Sequence, residues 1–271
     1  MMPPKRDWMD MTWRDIADAG ADTRRWIAVL PLAAVEQHGP HLPVGADSFI
    51  AEAYLAHARE ILTAELPATF LPVQRIGVST EHRAFHGTLS LSATTAVAAW
   101  TEIGESIARA GLRKLVLVTS HGGNVAAMEL VARELRARLG MLVVTVGWHR
   151  FGYPDGTFAE EEIKHGIHGG DVETSLMLAA MPQTVRMERA ADATPASVAM
   201  AREFVWLGAH RPAGFAWMTQ DLHASGAVGD ATEASAAKGE AALLHGARAF
   251  VELLREIDHF DLARLGDGPM G

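Results

Sequence analysis

Residues 36–47 read EQHGPHLPVGAD, so Glu36, His38, His41 and Asp47 crowd into one short segment bent by Gly39, Pro40, Pro43 and Gly45. A solvated loop needs no such density of ionisable groups, and a packed core could not satisfy them. Carboxylates and imidazoles together are the donor set of a metal site. Glu36 and His38 are two residues apart, so in extended chain both point the same way. Asp47 has two readings. It is either the N-cap of a helix that begins at Ser48 or a carboxylate with one oxygen free to bridge two cations.

Two further segments carry similar chemistry. His121 lies in SHGGN (residues 120–124), where Gly122 and Gly123 let backbone come close to a bound group. It reads either as a ligand or as a hydrogen-bonded core histidine. His168 opens HGGDVETS (residues 168–175) and is either a loop histidine or a catalytic acid/base. Glu173 falls in the first turn of an apolar helix, where the helix dipole stabilises an acid by roughly 0.3–1 kcal/mol. If Leu176 and Met177 face the core, Glu173 shares their side, and a metal or an Arg must compensate its charge. Glu81, His82 and His86 either line a pocket or decorate an exposed loop. Trp148 either stacks on a flat substrate or simply packs, and the acidic run 160–162 reads as a solvated turn.

The elements that must position these groups alternate. Apolar runs at 26–32 (WIAVLPL), 68–73 (ATFLPV), 114–119 (KLVLVT) and 141–147 (MLVVTVG) have the length and composition of buried strands. Helical periodicity covers 48–62, with Phe49, Tyr54, Leu55 and Ile61 as its apolar face. It also covers 94–110, the stretch from 125 to about 138, 172 to about 181, and about 231–257. Strands separated by helices of this length imply parallel pairing in a three-layer α/β/α fold. Ligand-rich segments then follow strand ends, where open α/β sheets place their sites.

Composition narrows the class. The chain of 271 residues is 49% hydrophobic, enough for one large core, and it has no linker, so residues 1–271 are expected to form a single domain. No run approaches the ~18–20 apolar residues of a membrane span. The N-terminal MMPPKRDWMDMTW has basic residues without an apolar stretch behind them, so no signal peptide is expected and the cytoplasm is the expected compartment. Cysteine is absent, so any metal is held by His, Asp and Glu. Such ligands suit Zn, Mn or Fe(II). A formal charge of −9 argues against a nucleic-acid partner.

EQHGPHLPVGAD, SHGGN and HGGDVETSLMLA, in this order and spacing, resemble the creatininase superfamily of metal-dependent amidohydrolases. Glu81-His82, Gly87-Thr88 and GAVGDATEASAAKG (residues 226–239) add to the resemblance, which spans residues 27–244. It implies a creatininase-like fold and two divalent cations per subunit. Asp47 would bridge them, Glu36 and His121 holding one and His38 the other. Creatininase has a carboxylate at the position of Gly123; Glu173 is its expected replacement, and this marks an SHGGN-type member rather than creatininase itself. His168 matches a proton-transfer histidine, with Glu173 beside it in the catalytic set. Trp148, His82, Gly122 and Gly123 would contact substrate. Lys164 stands where creatininase has a second pocket tryptophan. The expected reaction is hydrolysis of a C–N bond in a cyclic or linear amide, creatinine-like or formamide-type, by a water activated between the two cations. Opening of a non-amide ring or lactone, or peptide processing, is the alternative. The resemblance also implies a homo-oligomer, the family tending to ring-like hexamers, with Trp206, Phe215, Trp217 and Met218 flanking a loop that packs on a neighbour.

Overall fold

A computed structural model of the chain describes residues 1–210, 212–266 and 268–269. In chain order the helices are α1 (Trp13–Ala19), α2 (Ala46–Ile61), α3 (Ala93–Arg109), α4 (Val125–Leu139), α5 (Glu160–His165), α6 (Asp171–Ala180), α7 (Ala196–Glu203), α8 (Thr219–Leu222) and α9 (Ala236–His259). The strands are β1 (Ile27–Leu32), β2 (Ala68–Phe70), β3 (Lys114–Thr119), β4 (Leu142–Gly147), and the two-residue pieces β5 (Asp192–Ala193), β6 (Leu207–Gly208), β7 (Ala213–Gly214) and β8 (Gly229–Asp230). The main sheet runs β2-β1-β3-β4 with every pair parallel.

Side chains of the two central strands alternate between two cores, as the period of two requires. Ile27, Val29, Val116 and Val118 pack under α2, α6 and α9 with Tyr54, Leu176 and Phe250. Ala28, Leu30, Leu32, Leu115 and Leu117 pack under α3 and α4 with Trp100, Val131 and Leu135. The result is the three-layer α/β/α architecture with a mainly parallel sheet. Among the described residues no helix is long and apolar enough to cross a membrane.

Several boundaries differ from the sequence reading. α2 starts at Ala46, with Gly45 as its N-cap, so Asp47 lies inside the first turn and caps nothing. Its buried face is Ile50, Ala51, Tyr54, Leu55 and Ala58, while Phe49 is half-buried and Ile61 exposed. β2 stops at Phe70, short of Val73: Leu71 still donates to the Val29 carbonyl, but the next bond to β1, at the Pro31 carbonyl, comes from Gln74, so the regular register is lost. α9 begins at Ala236, where the Ser235 side chain accepts the Lys238 N–H; residues 231–233 form a separate 3₁₀ turn.

The acidic run at 160–162 is not a solvated turn. Glu160 opens α5, and Glu162 is buried with its Oε2 accepting the Asp230 N–H at 3.2 Å. Burial pushes its carboxyl up, while backbone N–H groups of Asp230, Val172 and Asp171 hold the charged form. Glu162 therefore lies against the N-terminus of α6, where the helix dipole favours its charge, while its Oε1 accepts no hydrogen bond. A Cβ at Gly170 would overlap it. Asp171 fastens the same helix end by a 2.6 Å ion pair to Lys238 and a 2.9 Å hydrogen bond from the Ser175 hydroxyl. These contacts hold the helix that carries Glu173.

Candidate metal centre

Glu36 and His38 leave the end of β1, His121 leaves the end of β3, and His168 and Glu173 come from the start of α6. Asp47 joins them from the first turn of α2. All converge at one edge of the sheet. Three overlapping groups have donor atoms close enough to hold a cation: Glu36–Asp47–His121, His38–Asp47–Glu173 and Glu36–His38–His168.

Four imidazole nitrogens surround Glu36 Oε1: His121 Nδ1 at 3.2 Å, His82 Nε2 at 3.3 Å, His168 Nδ1 at 3.6 Å and His38 Nε2 at 4.0 Å. Asp47 presents one oxygen to each side. Its Oδ1 is 3.6 Å from His38 Nε2 and its Oδ2 3.6 Å from His121 Nδ1. Glu173 Oε2 lies 3.7 Å from His38 Nε2 and accepts the Gly169 N–H at 2.6 Å. That turn needs glycine: Gly169 has φ +60°, and a Cβ there would crowd the His38 carbonyl.

Backbone contacts settle which atom of each histidine faces the centre. His38 Nδ1 pairs with the Glu36 carbonyl at 3.0 Å, leaving Nε2 inward. His121 Nε2 pairs with the Val78 carbonyl at 2.8 Å, leaving Nδ1 inward. His168 Nε2 pairs with the Gln37 carbonyl, leaving its Nδ1 inward. Outward N–H groups on carbonyls are the usual support of ligating imidazoles.

The electrostatics are those of a centre short of positive charge. Burial opposes a charge on Glu36, but His121, His82 and His168 hold its carboxyl well below the usual carboxylate range. Burial and the neighbouring Glu36 raise Asp47. Burial, with Asp47 and Glu36, pushes Glu173 up to about 7. His38 and His121 resist burial because the carboxylates around them push each up to about 10. His82 is pushed down to about 4 by burial and by His38 and His121, and His168 falls well below its ordinary value through burial beside His38 and His82. No Lys or Arg pairs with Glu36, Asp47 or Glu173 among the described residues.

Both oxygens of Glu36, Nε2 of His38 and Oδ2 of Asp47 are buried without a hydrogen-bond partner. Each such atom costs roughly 1–3 kcal/mol, and divalent cations with oxygen and imidazole ligands would satisfy all four. The residues fit metal.

Glu36, His38, Asp47, His121, His168 and Glu173 are therefore together, with His82 beside them. His82 does not face open space; it is buried behind Glu36, which is at odds with direct substrate contact. Trp148 is likewise buried. The turn after β4 folds its indole into the core, stacked on Tyr54 at 4.4 Å and tilted on Phe250 at 4.9 Å. Gly122 is exposed with free space where a side chain would go. Gly123 has none: a Cβ would overlap Glu81 Oε1, His121 Nε2 and the Val78 carbonyl. Of the weaker candidates, Glu81 reaches within 3.5 Å of His121 Nε2, and His86 is exposed.

Two residues had no separate reading in the sequence. Asn124, fully buried, accepts the Val78 N–H at 2.9 Å and donates to the Ala33 carbonyl at 3.1 Å and to Thr119 Oγ1 at 3.2 Å. One amide thus ties the roots of three ligand-bearing segments. Gln37 is the second; both stand inside the ligand motifs, which is the signal that could have found them.

The family model described as creatinine amidohydrolase matches residues 9–254. The chain belongs to the creatininase family. It is 34% identical over 219 residues to the mycofactocin precursor peptide peptidase of Mycobacterium tuberculosis, covering 78% of this chain and 77% of that one. To the creatinine amidohydrolase of Pseudomonas putida it is 30% identical over 208 residues, 69% of this chain and 76% of the relative. The manganese form of creatininase superposes with a TM-score of 0.72 at 27% identity, covering 93% of this chain and 98% of that chain, and a Zn–Zn form of a creatininase mutant gives the same values. Membership makes this creatininase-family chain a metal-dependent hydrolase.

Proposed function

We propose that this chain hydrolyses an amide C–N bond at a centre of two divalent cations, Zn, Mn or Fe(II). The observation that carries the proposal is Asp47, whose two oxygens face His38 and His121 separately. Asp47 would bridge, Glu36 and His121 would hold one cation, and His38 and Glu173 the other. When bound, such a pair polarises a carbonyl and lowers the pKa of a water toward ~7.

The chain's own residues do the rest. Glu173, from α6, would supply the carboxylate that residue 123 does not; the space beside Gly123 itself is taken by Glu81 Oε1, His121 Nε2 and the Val78 carbonyl. His168 keeps its proton on Nε2 against the Gln37 carbonyl, so Nδ1 is the atom able to take a proton at the centre and return it to the departing nitrogen. That atom is 3.6 Å from Glu36 Oε1 and 4.0 Å from Glu173 Oε2.

Two observations favour a peptide-type amide over creatinine. The pocket tryptophan of creatininase is replaced by Lys164, and Trp148 is committed to the core. The peptide peptidases among the relatives point the same way. The test is metal content of protein purified without chelators, followed by product analysis with creatinine, an N-formyl amide and short peptides. About two ions per chain and a new amine from the peptide support the reading; absence of metal, with none taken up on addition, sinks it.

We also propose a homo-oligomer. Phe204, Val205, Trp206 and Leu207 are consecutive and exposed, Val205 to 80% and Trp206 to 72%. Of the other aromatics expected at a neighbour, Phe215 and Trp217 pack within the subunit on Ala209, Leu222 and Val228. Light scattering should give a mass that is a multiple of 29.1 kDa, falling to the monomer in a Val205→Asp, Trp206→Asp variant. A monomeric parent protein would end this proposal.

A further inference from the structure

We propose that Gln37 is a positioning residue. Its side-chain amide sets which ring nitrogen of His82 carries the proton, and thereby turns an N–H of His82 toward Glu36. The inference rests on reading the cluster as a metal centre.

Gln37 sits between two ligands in EQH, but its side chain runs away from the cluster and is buried. Two backbone groups fix the amide's orientation. Oε1 accepts the Gly39 N–H at 2.9 Å, and Nε2 donates to the Gly226 carbonyl at 2.8 Å. Flipping the amide would set donor against donor and acceptor against acceptor.

The amide has one N–H left. Two ring nitrogens lie within its reach, His82 Nδ1 at 2.8 Å and His168 Nε2 at 3.2 Å. His168 Nε2 already carries the hydrogen it shares with the Gln37 carbonyl and cannot accept another. The remaining N–H therefore goes to His82 Nδ1, which must be a lone pair. The proton of neutral His82 then sits on Nε2, 3.3 Å from Glu36 Oε1.

This matters because, with cations at their inward nitrogens, the other three rings would offer Glu36 no donor. His38, His121 and His168 each hold their proton on the outward nitrogen. His82 is the one ring that presents an N–H to that carboxylate. Glu36 Oε1 has no hydrogen-bond partner of its own, so an N–H at 3.3 Å draws the carboxylate electrostatically and helps hold its orientation, as groups around metal ligands commonly do.

One neighbour pulls the other way. Thr219 Oγ1 lies 2.9 Å from His82 Nδ1, and its own hydrogen goes to the Glu81 carbonyl at 3.1 Å. Towards His82 it can only accept, which would require the proton on Nδ1. Gln37 and Thr219 thus ask for opposite tautomers, and the amide decides between them.

The experiment uses ¹⁵N-histidine-labelled full-length protein, with and without added zinc. Ring-nitrogen shifts report the tautomer, and the His82 signals are assigned by their loss in His82→Gln. The parent protein and Thr219→Val should both show His82 protonated on Nε2. In Gln37→Leu, and in the near-isosteric Gln37→Glu, the proton should move to Nδ1. Turnover of zinc-loaded Gln37→Leu should fall about 10–100-fold, the range for supporting residues at metal sites, mainly in kcat. His82 keeping its Nε2 proton in folded Gln37 variants, or changing tautomer only in Thr219→Val, would overturn the proposal. Failure of the protein to bind zinc would instead count against the metal reading, since the tautomer is also measured without zinc.

Discussion

Asp47→Ala should strip the protein of stoichiometric metal and lower turnover by more than about 100-fold, the upper range for loss of a merely supporting residue. The fold should survive, because Asp47 caps no helix and Gly45 occupies that position. The expected loss follows from geometry: one carboxylate serves two of the three ligand groups, so its removal leaves each of those two a ligand short. Asp47→Asn supplies a second, opposite readout. Burial and Glu36 raise the Asp47 carboxyl, so at neutral pH its charge destabilises the metal-free folded state relative to the unfolded chain. The sign is that of an acid raised on folding: stability is present below its ordinary value and lost as pH climbs through the folded one. Metal-free Asp47→Asn should therefore melt higher than the parent near pH 7, while added metal should stabilise the parent far more than the variant. A parent that melts higher than the variant without metal would contradict the charge-crowding described for this centre.

Glu173→Ala should lower metal content from about two ions per chain to about one and reduce turnover by a similarly large factor. Glu173 is the third donor of the group that joins His38 to Asp47. Creatininase has a carboxylate at the position of Gly123, so Gly123→Glu is the natural attempt at rescue. It should fail. A side chain at residue 123 must pass through the space held by Glu81 Oε1, His121 Nε2 and the Val78 carbonyl. Of these the carbonyl is backbone, and it is also the group that aligns His121. The double variant should be worse than Glu173→Ala alone, in both metal content and melting temperature. Recovery of the second ion in the double variant would show that the backing of His121 can yield.

Much of this was legible along the chain. Continuous apolar runs with helical spacers specify a parallel sheet, because only crossover helices return a strand in the same sense. β3 was readable to its boundaries from KLVLVT, since both of its faces are buried. The ligand types followed from the absence of cysteine and the density of His and carboxylate in three short motifs. Shorter and edge elements were less legible, as β2 shows, because its register against β1 slips before Gln74 although the hydrophobic run continues.

The sequence by itself therefore determined the architecture, the donor chemistry and the three segments that deliver it. Tertiary structure alone decided what each side chain does there. Hydrophobic period places a residue on a face, but not against a particular atom of a distant loop. Trp148 turns into the core, and Glu162 leaves solvent to accept the Asp230 N–H beside the start of α6, through contacts that no local spacing encodes. The inward nitrogens of His38, His121 and His168 are chosen by carbonyls at Glu36, Val78 and Gln37. Two of those three partners lie far from their histidine in sequence, and only the folded chain brings them within hydrogen-bond reach.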